Sequence, residues 1–283
     1  GVTPAVVSGG PGAVFWMWLS AFFGMMTKFS EIVLGMYYRK RNSDGEYSGG
    51  TMYFLEEGLK NKKGIGFLAK PLAVIFAFFC MFASFGIGNM SQVNSISESM
   101  LSGFNVPLII SGVAIAVITA LVILGGLKRI GSFCEKLVPF MSIFYVGCSL
   151  VIIVMNYKML PHAFAGIFQN AFRFEAVAGA AVGLLFKNAV TWGLKRGIFS
   201  NEAGLGSSVL AHASSAEKEP VKQAMWGIFE VFADTIIICT MTALIILTTS
   251  FNVNKANIPA MSLEEMKAAA SVSEQVAILK DSS

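Results

Sequence analysis

Polar and apolar positions along this chain alternate on a long scale, with extended apolar runs separated by short charged or glycine-rich stretches. Six runs approach or exceed the ~20 residues that carry a helix across a bilayer. They predict spans at roughly 13–38, 71–100, 107–126, 137–156, 175–195 and 224–249. One of them does not stay apolar. PLAVIFAFFCMFA passes without a break into SFGIGNMSQVNSISESM (84–100), which brings five serines, two asparagines and a glutamine. Continued as a helix at ~100° per residue, this segment puts Ser84, Gly88, Ser91, Gln92, Ser95 and Ser99 on one stripe, with Asn89 and Asn94 to either side. Lipid offers these groups no hydrogen bonds, so the stripe must face protein or water. Polar glue between helices is one reading. A stripe that includes Gln92 and a bare glycine suits a wet cavity better.

The span at 175–195, EAVAGAAVGLLFKNAVTWGLK, holds Gly179 and Gly183 as GxxxG and then Lys187 and Asn188 in its middle. GxxxG alone points to close helix packing. A mid-span lysine costs at least ~2.5 kcal/mol unless it finds a partner or water. Small residues followed by polar ones also suit a helix that unwinds to show its backbone to a ligand. Lys28 and Glu31, three apart in GMMTKFSEIVLG, are spaced for an ion pair on one helix face, acting as a structural pair or an inner gate. Glu230 and Asp234, four apart in the last span, share a face, with ion traffic and helix packing both open as roles.

Composition agrees with the spans. Hydrophobic residues are 55% and charged residues 13% of the chain, against about 25% charged in a soluble domain, and the mean hydropathy is +0.66. The fold class is therefore an all-α polytopic membrane protein. Lys and Arg set the orientation. Most of them, including Arg39, Lys40, Arg41, Lys62, Lys63, Lys128, Arg129, Lys195 and Arg196, flank the spans on one side, which is expected to be cytoplasmic. The turn SGFNVP and the tail then lie outside. The net charge of +4 is accounted for by topology and is no nucleic-acid signal. The four cysteines lie in or beside apolar stretches without a CxxC pair, as buried small hydrophobes. No phosphate-binding GxxxxGK[ST] and no GxSxG elbow occurs, so an enzyme finds little support. RGIFSNEAGLGSS mixes charged, amide and glycine residues after a span, as an ordered cytoplasmic loop would. The chain starts without Met at GVTPAVVSGGPGA, with no basic region before an apolar core, and is expected to be an internal piece of a longer protein. Residues 1–249 are expected to form a transporter core, truncated at its N-terminal end and lacking C-terminal spans, with 250–283 an external loop or tail.

GGPGAVFWMWLSAFFGMMTKFSEIVLGMYYR, GGTMYFLEEGL, FGIGNMSQVNSI, ILGGLKRIGSFCEKLVPFM and WGLKRGIFSNEAGLGSS follow one another over nearly all of the chain to about residue 249. In these words the sequence resembles the sodium:alanine symporters, also called the alanine or glycine:cation symporter family. The resemblance implies sodium-coupled symport of a small neutral amino acid by alternating access. It also implies the inverted-repeat fold of the amino acid–polyamine–cation superfamily, similar to the bacterial leucine transporter. Gly88, Asn89 and Gln92 would help to surround the amino acid. Gly179 and Gly183 would offer exposed backbone in the broken helix of the second repeat, and Trp192 would join the substrate-binding set. Lys28, Glu31 and Asp234 are the structural or gating candidates. The sodium site would lie largely in segments outside this chain. Sodium as coupling ion is the only cofactor expected, and the amino acid, sodium and the bilayer of a prokaryotic inner membrane are the partners. A polytopic enzyme, or a sensor that binds an amino acid without moving it, is the rival.

Overall fold

The computed structural model describes residues 1–43, 45–172 and 180–257. Short helix α1 (Val2–Gly9) turns through Gly10, whose φ of 71° is a left-handed setting that glycine takes without strain, into α2 (Ala13–Tyr37). A two-stranded hairpin, β1 (Lys40–Arg41) and β2 (Tyr47–Ser48), leads to α3 (Thr51–Lys60). One continuous helical rod follows, made of α4 (Ala69–Ala83), a π-helical stretch over Ser84–Met90 and α5 (Ser91–Phe104). It ends at Asn105, whose φ of 55° turns the chain through SGFNVP into α6 (Leu108–Ile123). Next come α7 (Gly126–Met155), α8 (Leu160–Ala171), α9 (Ala180–Asn201) and the short α10 (Ser208–Ala213). A last rod joins α11 (Pro220–Val231), a second π-helical stretch over Phe232–Cys239 and α12 (Thr240–Asn257).

Among the described residues, Ala13–Tyr37, Gly66–Phe104, Arg129–Met155 and Pro220–Thr249 are helices long and apolar enough to span a membrane, and α6 is a shorter apolar helix. Four of the six expected spans are thus present, within a few residues at most ends, and the expected span at 107–126 is the shorter apolar helix α6. The sixth is described only from Ala180 and runs six residues past its expected end, to Asn201. The expected tail begins as helix, since α12 continues to Asn257.

The core lies among α1, the first half of α2, α8 and α12, where Ala5, Val14, Met17, Ile167 and Leu247 are buried. Two tryptophans in α2 fix this corner by donating their indole N–H groups, Trp16 to Ala171 O (3.3 Å) and Trp18 to Thr240 Oγ1 (2.7 Å). A buried indole that keeps its hydrogen bond adds apolar area without a desolvated donor. In contrast, α4 to α7 turn Phe78, Ile109, Leu124, Phe140 and Ile143 outward, a surface suited to hydrocarbon rather than water.

Candidate functional site

Helix α2 is the axis of the site, because α9 and α10 descend along it in one continuous line. Glycines allow the approach. A Cβ on Gly193 would stand 2.5 Å from the Ala13 carbonyl oxygen, and one on Gly197 would stand 2.9 Å from Ser20. Lower down, Gly24 faces Asn201 and Ala203, Glu31 meets Gly204, and Gly35 leaves room for Val209. At the foot Arg39 holds the end of α10 and the chain beyond, donating to the carbonyls of Ala213 (3.2 Å), Ser215 (2.7 Å) and Glu217 (2.6 Å). Glu217 also accepts hydrogen bonds from Lys222 and from the Glu219 and Lys218 amides, which hold its carboxyl below the usual range.

Between α9 and α10 the helix is interrupted over residues 202–207. Glu202 (φ 54°), Gly204 (φ 87°) and Gly206 (φ 71°) all take left-handed backbone. The interruption stands opposite Gly24–Glu31, the middle of α2. RGIFSNEAGLGSS is therefore not a single loop after a span. Arg196–Asn201 are helical, and the rest is the joint of a discontinuous helix, which is where transporters expose backbone to ligands. Gly183 lies inside the continuous α9, and Gly179 is outside the described residues. Lys195 and Arg196 likewise sit within α9, between the turns that face Ala13 and Ser20, so they do not flank a span and do not count towards its orientation.

Lys28 faces this joint. Its side chain is wholly buried, and its ammonium donates to Asn201 O (3.0 Å), at the C-terminal end of α9, and to Glu230 Oε1 (3.3 Å). A cation is favoured there by the partial negative charge of a helix C-terminus. The expected Lys28–Glu31 pair is not formed. Lys28 reaches across to α11, while Glu31 Oε2 accepts the Gly204 N–H (3.2 Å), so the two side chains serve different elements. Glu230 Oε2 also meets His212 Nε2 (3.1 Å). Ser215 Oγ donates to Gln223 Oε1 (3.0 Å), which turns the Gln223 amide nitrogen to His212 Nδ1 (2.9 Å). An amide nitrogen only donates, so Nδ1 accepts and Nε2 carries the proton given to Glu230. Lys28, Glu230 and His212 thereby tie α2, α11 and α10 into one chain of charge-assisted hydrogen bonds.

Asp234 stands apart from Glu230 despite the spacing. It falls in the π-helical turn, which changes the rotation per residue. Its Oδ2 accepts from Thr235 Oγ1 (3.0 Å), which in turn accepts from Asn201 Nδ2 (3.3 Å). Asn201, His212 and the glycines of the joint had no place in the sequence-based site. The available signal was the asparagine and two glycines of NEAGLG, which read equally well as a surface turn.

The polar stripe is only partly restored in space. Ser91, Gln92, Ser95 and Ser99 line an open cavity of about 700 Å3, together with Glu98 and Ser102, the start of α1 (Gly1, Thr3, Pro4), and Arg196 and Phe199 of α9. Asn89 and Asn94 face a different groove, shared with Leu108 and Gly112 of α6, and Ser97 is buried there. Gly88 is exposed, with nothing within 4 Å of a Cβ placed on it. The π turn over Ser84–Met90, closed by the Ser91 N–H reaching back five residues to Gly86 O, carries Gly88 and Asn89 out of phase with Gln92. Ser84, Ser95, Ser99 and Ser102 donate to carbonyls of their own rod, so these hydroxyls do not glue one helix to another. Trp192 lies one turn above Arg196, beneath its guanidinium rather than in the cavity lining. Lys187 is exposed.

Comparison with known proteins places the same words in one group. Residues 1–279 match the sodium:alanine symporter family. A sodium/alanine symporter of Methanococcus maripaludis is 50% identical over 87% of this chain and 52% of its own length. An amino-acid carrier protein of Bacillus subtilis is 39% identical over 88% of this chain and 51% of its own. A probable sodium/glutamine symporter of the same species is 38% identical over 87% and 49%. The chain spans about half the length of these relatives.

Proposed function

The chain belongs to the sodium:alanine symporter family, and on that premise we propose that the protein it is part of carries alanine or glycine across the plasma membrane of a prokaryote together with sodium. The observation that supports this reading best is the discontinuous helix α9–α10, interrupted opposite the middle of an unbroken α2. In a bilayer such a break is tolerated only where the freed backbone lines a cavity or is met by other groups. Here Gly204 N–H is met by Glu31, Gly206 O by Thr51 Oγ1 (2.9 Å), and Asn201 O by Lys28.

In this reading the chain supplies part of an inverted-repeat transporter, oriented with Arg39–Arg41 and Lys60–Lys63 in the cytoplasm and Asn105 outside. The amino acid enters along the Gln92 wall of the cavity and binds near the start of α1 and the end of α9. Half-helix ends provide the fields there, with backbone carbonyls for sodium and amides for the carboxylate. The Lys28–Glu230–His212 chain holds the cytoplasmic half closed until substrate and sodium shift the equilibrium towards the inward-open state. No covalent step is involved, so no nucleophile or general base is required.

The test is uptake of labelled alanine and glycine by the full-length protein in liposomes, with and without an inward sodium gradient. Sodium-dependent accumulation is expected. Binding without accumulation would favour the sensor reading instead. In the same assay Gln92→Leu is expected to raise the half-saturation concentration roughly tenfold to a hundredfold, since an unmet polar group in a desolvated site costs about 1–3 kcal/mol. Ser97→Ala, in the groove against α6, removes a buried hydroxyl with no partner among the described residues and is expected to change transport little.

A further inference from the structure

The ring of His212 is held at both nitrogens by α11, and the two contacts differ in kind. Nε2 gives its proton to Glu230 Oε2 (3.1 Å), whereas Nδ1 accepts from the Gln223 amide nitrogen (2.9 Å). The second contact can be reversed without loss. If the Gln223 amide turns over, its Oε1 faces Nδ1 and accepts a proton there, while its nitrogen faces Ser215 Oγ. Ser215 Oγ, which donates to Gln223 Oε1 (3.0 Å), then becomes an acceptor, as it already is for the Glu217 N–H (3.2 Å). Neutral and charged imidazole thus correspond to two settings of one side-chain amide, each with both ring nitrogens paired. Histidine is the side chain whose ordinary charge change falls within ~pH 5–8.

The charges around the ring decide what an added proton does. Among the described residues, Glu230 is the one carboxylate within ion-pair distance of it, and that carboxylate is shared with the Lys28 ammonium of α2 (3.3 Å). Charged groups of the neighbouring elements are engaged elsewhere. Glu31 holds the Gly204 N–H, Arg39 the carbonyls beyond α10, Glu202 the Ser207 hydroxyl, and Glu217 pairs with Lys222. Lys218 and Glu219, just before α11, are adjacent and of opposite sign. A proton on Nδ1 therefore leaves the Glu230 carboxylate between two cations. Its bond to Nε2–H, charged at one end only before, becomes charged at both and shortens its hold on α10. Lys28 opposes the new charge from the far side of the carboxylate but keeps its own acceptor, Asn201 O (3.0 Å).

We propose that Lys28, Glu230, His212 and Gln223 form a pH-sensitive latch, in which a proton taken up at His212 Nδ1 turns the Gln223 amide and ties α10 more tightly to α11. This rests on the reading of the protein as a symporter and adds a regulation to it. Acid slows opening of the side that holds α10, and with it the transport cycle. The proton comes from water on that side and returns to it, so the device sets the rate and not the driving force.

The experiment uses the full-length protein in proteoliposomes, with an inward sodium gradient and the same pH on both faces. Initial uptake of labelled alanine is measured from about pH 8 to about pH 5.5, across the interval in which histidine changes charge. The wild-type rate is expected to fall roughly threefold to tenfold towards the acid end. His212→Gln, which still donates to Glu230 but takes no proton, should hold one rate across the interval. Gln223→Glu puts a carboxylate at Nδ1 and should move the midpoint of the fall up by roughly one pH unit. It carries the test if the His212 variant does not reach the membrane. A structural role alone would lower rates without moving the midpoint. A flat wild-type profile, the same fall in His212→Gln, or an unmoved midpoint in Gln223→Glu would overturn the latch while leaving symport in place. Wild-type protein that takes up neither alanine nor glycine with sodium at any of these pH values would overturn both.

Discussion

Lys28 and Glu230 share one contact but not one environment. The ammonium is fully buried, whereas the Glu230 side chain is 47% exposed and keeps a second partner in His212. Removing either member is therefore not equivalent. Glu230→Leu strands a buried cation on a single carbonyl, and the loss is expected near the lower end of the ~3–5 kcal/mol seen when a buried pair is broken. Lys28→Met fills the same space without a charge and lets the carboxylate turn to water, so about 1–2 kcal/mol from lost charged hydrogen bonds is expected. Thermal unfolding of the two variants in detergent gives the order, and a larger loss for Lys28→Met would contradict the burial asymmetry. The sequence made Lys28 conspicuous as a charge in an apolar run. It could not name the partner, because Glu230 lies 202 positions away while Glu31 is one turn off, and local spacing always offers the nearer candidate. Arg196 was misplaced for a related reason. A Lys–Arg pair at the end of an apolar run looks like a cytoplasmic flank, and only continuation of the helix to Asn201 returns it to the interior.

Helices were legible wherever apolar length alone defined them, as in α2, α6 and α12. They were misread where geometry departs from 100° per residue. The stripe drawn through SFGIGNMSQVNSISESM assumed one pitch throughout. The π turn at its start turns the chain by less than 100° per residue, so the stripe keeps its phase from Ser91 onward while Gly88 and Asn89 are shifted away. The joint between α9 and α10 has its own requirement, a left-handed backbone at Gly206 against a tight wall. A Cβ there would stand 2.5 Å from Thr51 Oγ1 and 3.1 Å from Phe76. Gly64 is also left-handed, at φ 87°, but has nothing within 4 Å. Gly64→Ala is expected to cost only the ~1–2 kcal/mol of the left-handed setting. Gly206→Ala should cost that plus ~1–3 kcal/mol of overpacking, read as the difference between their unfolding midpoints. Equal losses would mean that the Thr51–Phe76 wall yields.

For the molecule as a whole, charge at the helix ends still argues for one orientation once Lys195 and Arg196 are set aside, because Arg39–Arg41, Lys60–Lys63 and Lys128–Arg129 lie at or beside helix ends. A single cysteine at position 105 is expected to react with an impermeant reagent in intact cells, and one at position 62 only after lysis. The reverse pattern would invert the whole arrangement. What charge and hydropathy could not show is how the rods share their load. Helix α10 has six residues, well short of the ~12–15 that hold a helix together unaided in water. It keeps its shape by lying in the notch at Gly35 and under the Arg39 clasp. Such a segment cannot swing free as a rigid flap. In the transport cycle proposed above, opening of the side that holds α10 must either carry α2 and α10 together as one lever or let α10 melt, and the second course would expose bare peptide groups to the proposed path.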